Sequence, residues 1–220
     1  MQTNGIEKRI GENRVLAVLT IENAEDAVPT ARALLEGGVG GIELALRTNA
    51  SLEALSRIAD EVPEMLIGVG TVLRPDQCHE VVRRGGAFAL APGHNPRVAA
   101  TAREVGLPFV PGIATASELE AAVESGHRLL KLFPAEHLGG AKYLKSLNGP
   151  YRFLGLKYIP LGGVNEDNLG DYLSRPEVLA VGGSWLANGD LIARKDWSTI
   201  SKNAEAARRI ADDVARKGGS

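Results

Sequence analysis

The chain reads as an α/β protein: a single (β/α)8 TIM barrel over residues 1–220 with a short N-terminal helix. Three observations predict it. Eight short β-branched or apolar runs alternate with longer amphipathic stretches. Glycines recur between the end of a helical pattern and the next apolar run. No GxGxxG follows the first run, as a dinucleotide-binding open sheet would require. Alternating β and α units give a parallel sheet covered by helices, and eight of them close into a barrel more readily than they stay open. The rival architecture is an open, doubly wound sheet.

The runs are VLAVLTI (15–21), GIELAL (41–46), MLIGVG (65–70), AFALA (87–91), PFVPG (108–112), RLLKLF (128–133), KYIPLG (157–162) and VLAVGG (178–183). Helices are expected near 24–36, 50–61, 75–84, 95–105, 115–124, 140–147 and 165–174. A last helix near 196–216 carries Trp197, Ile200, Ala204, Ala207, Ile210 and Val214 at three- and four-residue spacing. Gly37–Gly38, Gly85–Gly86, Gly106 and Gly126 sit where helices should stop. Pro75, Pro96 and Ser117 sit near helix starts. Residues 1–14 read as a short helix outside the barrel.

Composition narrows the function classes. Apolar residues make up 44% of 220, enough for a sizeable core, and the formal net charge is −2. Lys and Arg are scattered, so no concentrated basic face points to nucleic acid or an anionic membrane. No apolar run approaches the roughly 20 residues of a spanning helix. The segment MQTNGIEKRIGENR lacks the apolar stretch of a signal peptide. One cysteine, Cys78, excludes an internal disulfide. A cytoplasmic protein acting on a small molecule is the expectation.

In a barrel the site forms at the C-terminal ends of the strands, so polar residues inside apolar strands draw attention. Lys131, in Leu129-Leu130-Lys131-Leu132-Phe133, has apolar neighbours on both sides. Burial disfavours the charged form of an amine, and an uncharged amine attacks ketones. The alternative is a lysine whose head snorkels to water. Lys142 and Lys145 fit an exposed helix face, and Lys157 opens a strand at the wrong end of the barrel. In Gly41-Ile42-Glu43-Leu44-Ala45-Leu46-Arg47, alternation puts Ile42, Leu44 and Leu46 toward the helices and Glu43, Ala45 and Arg47 inward. Glu43 then serves as a proton shuttle and Arg47 as an anion anchor, or the two form a structural ion pair. Thr71 ends the third run with a hydroxyl suited to a carboxylate, or simply caps a helix. Pro92 and Gly93, like Pro111 and Gly112, shape a rim.

The last two loops, Gly162-Gly163-Val164-Asn165 and Gly182-Gly183-Ser184-Trp185, follow strands seven and eight. That is the usual phosphate position in such barrels, where backbone N–H groups face the anion. No metal site is expected. His79, His94, His127 and His137 show neither HxxxH nor HExxH spacing. His79 is expected on a helix surface, and His94 and His137 in loops near the rim, solvated there rather than touching substrate, which is the alternative.

These motifs resemble the class I 2-keto-3-deoxy-6-phosphogluconate (KDPG) and 4-hydroxy-2-oxoglutarate aldolases over nearly the whole chain. GGIELALRT (40–48), GVGTVLRPDQ (68–77), APG (91–93), PFVPGIATASEL (108–119), LKLFPAE (130–136), LGGVN (161–165) and GGSWL (182–186) carry the resemblance. It implies Lys131 as the Schiff-base lysine and Glu43 as the general acid/base acting through water. It implies Arg47 and Thr71 as binders of the pyruvate carboxylate, and Pro92 and Phe133 as walls of the pyruvate pocket. Gly162, Gly163, Gly182, Gly183 and Ser184 become the site for phosphate and the substrate tail. The resemblance also implies a homotrimer and requires neither metal nor organic cofactor. One departure is Leu161, where the family often carries a threonine that bonds the hydroxylated tail. Leucine cannot donate that bond, which leaves the galactonate epimer and 4-hydroxy-2-oxoglutarate as alternative substrates.

Overall fold

Strands form where the apolar runs lie. The computed structural model describes residues 3–218, so Met1 and Gln2 of the expected N-terminal helix, with residues 219 and 220, lie outside the described residues. Helix α1 (Thr3–Asn13) precedes β1 (Val15–Leu19), α2 (Ala27–Glu36), β2 (Gly41–Ala45), α3 (Ser51–Glu61) and β3 (Leu66–Gly70). Next come α4 (Pro75–Arg83), β4 (Phe88–Leu90), α5 (Pro96–Glu104), β5 (Phe109–Val110), β6 (Gly112–Ile113) and α6 (Ala116–Glu124). The chain continues through β7 (Leu129–Leu132), α7 (Gly140–Asn148), β8 (Lys157–Pro160), α8 (Leu169–Leu173), β9 (Val181–Gly183), α9 (Gly189–Ala193) and α10 (Trp197–Gly218).

All the paired strands run parallel, as βαβ connections require. One sheet has the order β5-β4-β3-β2-β1-β9 and forms a half-barrel; a second has the order β6-β7-β8. Isolated parallel bridges join Tyr158 to Val178 and Leu161 to Gly182.

Several boundaries differ from the sequence expectation. The expected strand 108–112 is two short pieces on either side of Pro111, which has no N–H for the ladder; its carbonyl still accepts from Lys131 N at 2.8 Å. The expected strand 178–183 shortens to Val181–Gly183, and the helix expected at 165–174 to Leu169–Leu173. The helix near 24–36 opens with a 3-10 turn, Ala24–Asp26. Helix α9 and the 3-10 segment Gly149–Leu154 had no expected counterpart. Gly38, Gly85, Gly106 and Gly126 all have positive φ at helix ends, as their spacing predicted.

Two apolar clusters follow from the strand alternation. Ile42, Leu44, Val69, Ala89, Leu130 and Leu132 pack outward against the helices. Leu16, Leu66, Phe88, Leu90, Val110, Leu129, Ile159 and Leu161 form an inner cluster. Helix α1 is no bystander: Ile6 and Ile10, one turn apart, join this inner cluster, with Ile10 fully buried. The polar residues that interest us lie further along the same strands, toward their C-terminal ends.

Candidate active site

Period-two alternation turns Glu43 inward while Ile42 and Leu44 face the helices. It likewise turns Lys131 inward between Leu130 and Leu132. The two inward side chains meet: Lys131 Nζ donates to Glu43 Oε1 at 2.8 Å, with side chains 3% and 0% exposed. Lys131 therefore neither snorkels to solvent nor stands alone. Its Nζ also lies 5.3 Å from the centroid of the Phe133 ring, in cation–π range. Glu43 Oε2 is buried and has no hydrogen-bond partner, an acceptor left over beside the amine.

A cavity of about 430 Å³ opens over this pair, the size of a small-ligand site. Glu43, Arg47, Lys131, Phe133, Gly162, Gly163, Gly182, Gly183 and Ser184 all line it. Nine of the eleven residues singled out from sequence thus converge. Thr71 and Pro92 are not in the lining. Thr71 joins the site indirectly, because Arg47 Nε donates to its Oγ1 at 3.1 Å. Glu43 pairs with Lys131, so the alternative of a Glu43–Arg47 ion pair is not what forms.

The turn bearing Arg47 is anchored from below. The buried Ser51 hydroxyl donates to Ala45 O at 2.9 Å, and the Thr48 hydroxyl to Ile21 O at 2.5 Å. Arg47 itself is exposed at the rim, free to meet an anion. Thr71 has φ 59°, a left-handed backbone that a β-branched residue rarely adopts. Strain of this kind, on the order of 1–3 kcal/mol, tends to persist where function needs the geometry.

The glycine loops complete the lining. Gly162 and Gly163 have φ of 92° and 84°. Among the described residues, the N–H groups of Gly162 and Gly163 make no hydrogen bond to the protein. Gly162 and Gly163 thus bring two unpaired donors to the lining of a cavity that also holds Arg47 and Lys131. Such an arrangement takes a molecule with an anionic head and an anionic tail, with a ketone between them beside the amine.

Sequence reading missed Thr20 and Asn188, which also line the cavity, and gave no role of their own to Asn165 and Trp185, which it had placed in the two glycine loops. Thr20 was within reach of the same logic, as a polar residue at the end of an apolar run; Asn188 sits beyond the second glycine loop, on a path no local pattern fixes. Leu161 lines the cavity and is 2% exposed, packed toward Gly182. His94 is not a solvated rim residue: its Nε2 is buried and its ring meets that of His127 at 5.8 Å between centroids. None of the four histidines lines the cavity. Among the described residues no group of three or more His, Cys, Asp or Glu is placed to hold a metal ion, and no helix is long and apolar enough to cross a membrane.

Comparison with known proteins points to one family. The family model for KDPG and KHG aldolases matches residues 6–203. The 2-dehydro-3-deoxy-phosphogluconate aldolase of Treponema pallidum is 41% identical over 90% of this chain and 93% of its own. The KHG/KDPG aldolase of Escherichia coli is 42% identical over 88% and 90%. A crystal structure of the KDPG aldolase from Legionella pneumophila, with pyruvate captured as a covalent carbinolamine, superimposes with a TM-score of 0.87 at 36% identity, covering 91% of this chain and 97% of that one. The chain belongs to the KDPG and KHG aldolase family.

Proposed function

We propose that this protein is a class I aldolase, a carbon–carbon lyase that cleaves 2-keto-3-deoxy-6-phosphogluconate to pyruvate and glyceraldehyde 3-phosphate. The observation that carries the reading is the buried Lys131–Glu43 contact of 2.8 Å at the floor of a cavity ringed by Arg47 and the two glycine loops. In the reaction, Glu43 accepts a proton from Lys131, and the freed amine attacks C2 of the keto acid whose carboxylate is held by Arg47 and Thr71. Phe133 walls the pyruvate unit. Glu43 returns that proton to the carbinolamine hydroxyl, which leaves as water and gives a protonated imine. Glu43, through a water molecule, takes the C4 hydroxyl proton. The C3–C4 bond breaks, C4 leaves as an aldehyde, and the electron pair is held by the imine as an enamine. Protonation at C3 and hydrolysis, which returns the water, release pyruvate. Gly162, Gly163, Gly182, Gly183 and Ser184 hold the phosphate end, and the steps call for neither metal nor organic cofactor.

The test is borohydride reduction in the presence of pyruvate, read by intact mass. Wild type should gain one reduced pyruvate and lose activity, and Lys131→Ala should gain nothing. Activity unaffected by this treatment sinks the imine route, and with it a phosphate-binding barrel isomerase or synthase becomes the better reading.

Leu161 favours a second substrate reading. A buried leucine beside Gly182 offers no donor to the substrate tail, so the 6-phosphogalactonate epimer and 4-hydroxy-2-oxoglutarate belong in the assay panel.

We also read the two sheets as one closed (β/α)8 barrel and one domain. The Tyr158–Val178 and Leu161–Gly182 bridges support closure on one side, and the continuity of chain through Pro111 on the other. A homotrimer rests on family resemblance, and a cytoplasmic setting on the phosphorylated substrate and the buried free thiol of Cys78.

A further inference from the structure

Glu136 does not line the cavity, yet it touches the glycine turn in two ways and is anchored in a third. Its backbone N–H donates to Gly162 O at 3.0 Å. Its side-chain stem fills the space beside Gly163, where a β-carbon would stand 2.6 Å from Glu136 Cβ and 2.9 Å from Cγ. Its carboxylate accepts the hydroxyl of Tyr172, a fully buried residue on α8. The preceding N–H, of Ala135, donates to Leu161 O at 2.7 Å, so the two loops are laced together along their length.

The lacing fixes a turn that has little else to hold it. Gly162 and Gly163 both lie in the left-handed region, which glycine enters and leaves at little cost. From the far side, Asn168 Nδ2 donates to Gly163 O at 3.1 Å. Burial, and then the Glu136 carboxylate, push the Tyr172 hydroxyl well above the ordinary phenol range. The phenol therefore stays a donor to the Glu136 side chain. Glu136 is held at its tip by α8 and at its backbone by Gly162, and the turn rests against the stem between them.

We propose that Glu136 and Tyr172 are a positioning pair that sets the Gly162–Gly163 N–H groups for the substrate's phosphate. They thereby decide how strongly the enzyme favours a phosphorylated keto acid over the same skeleton without phosphate. This rests on the aldolase reading above. A second role for the Glu136 charge, repulsion of phosphate, predicts the opposite response and is separable by substitution.

The experiment compares KDPG with 2-keto-3-deoxygluconate on wild type, Glu136→Ala, Glu136→Gln and Tyr172→Phe, with inorganic phosphate as competitive inhibitor. Glu136→Ala should lower the ratio of kcat/KM for the phosphorylated over the unphosphorylated substrate about tenfold, mostly through KM, and weaken phosphate inhibition in step. Glu136→Gln keeps the stem and an acceptor for Tyr172 and should restore most of the ratio. Tyr172→Phe should fall between. An equal loss on both substrates, or an unchanged ratio in Glu136→Ala, overturns the proposal. A gain in phosphate affinity in Glu136→Gln overturns it in favour of charge repulsion. Borohydride trapping of pyruvate, which needs no phosphate, is run in parallel on wild type. Its failure there would condemn the aldolase reading itself, whereas normal trapping with an unmoved ratio condemns only the positioning pair.

Discussion

The Glu43 carboxylate occupies the space that a side chain on Gly70 would need: a β-carbon built there stands 2.6 Å from Glu43 Cγ, with Oε1 nearer still. Residues Glu43 and Gly70 lie on adjacent paired strands, β2 and β3. The missing side chain at position 70 is thus what lets the carboxylate lie inside the barrel and reach Lys131.

Gly70→Ala should therefore damage chemistry more than folding. The added methyl displaces Glu43 from Lys131, and kcat should fall about a hundredfold, the lower range for loss of a positioned acid/base. Overpacking costs about 1–3 kcal/mol, which a thermal melt will register as a modest drop in Tm. Retention of full kcat in a folded Gly70→Ala protein would show that Glu43 need not hold this position.

Lys131→Ala removes the cation from a buried carboxylate. Such a loss costs on the order of 3–5 kcal/mol, whereas replacing both partners by apolar groups of similar volume is often neutral. Chemical denaturation should therefore show Lys131→Ala far less stable than the double variant Glu43→Leu, Lys131→Met. Both should be inactive. Equal stabilities would mean that the ion pair is not the desolvated contact its 2.8 Å separation and burial indicate.

Thr71→Gly should trade affinity for stability. Glycine relieves the positive φ, worth about 1 kcal/mol, while the hydroxyl that accepts from Arg47 Nε is lost. We expect a raised Tm together with a several-fold higher KM. A lowered Tm would mean that the left-handed backbone carries no strain there.

Leu161→Thr places a hydroxyl next to Gly182 in the cavity wall. Discrimination between the gluconate and galactonate epimers should change by about tenfold or more, since a site built to bond a hydroxyl rejects the analogue that misplaces it. Measuring kcat/KM for both epimers decides it, and an unchanged ratio removes Leu161 from the specificity determinants.

His127 gives a pH prediction. Burial first, then the nearby His94 and Arg103, push its imidazole down to about 4. Between pH 6.5 and 4 the unfolded chain binds a proton there that the folded chain refuses, so stability falls as pH drops through that window. With the ring partly solvated, the loss is on the order of 1–2 kcal/mol, roughly half the full linkage value. Urea unfolding at pH 7 and pH 4.5 should show a smaller difference for His127→Gln than for wild type. An identical difference would place the acid sensitivity elsewhere.

Much of the site was legible because strand geometry is local. A residue's side in a strand depends only on parity along the chain, so Lys131 between Leu130 and Leu132, and Glu43 between Ile42 and Leu44, declared their inward direction. The glycine loops were legible from their place after strands seven and eight. Thr71, read as a carboxylate binder from its place at a strand end, and Pro92, placed in the pocket by resemblance, do not line it; whether a strand-end residue reaches the cavity depends on loop path and tilt. The same dependence hid Asn188, and it hid the contact of His94 with His127, whose segments belong to different βα units.

By itself the sequence determined the alternation of strand and helix, the faces of those strands and the chemical types offered inward: an amine, a carboxylate, a guanidinium and two glycine loops. Tertiary structure alone decided that Lys131 and Glu43, 88 residues apart, stand at 2.8 Å, that Thr71 takes a left-handed backbone, and that Tyr172 braces Glu136. Side-chain direction is set by a two-residue repeat. Distances between strands are set by register, twist and the packing of the whole core, which no single segment encodes.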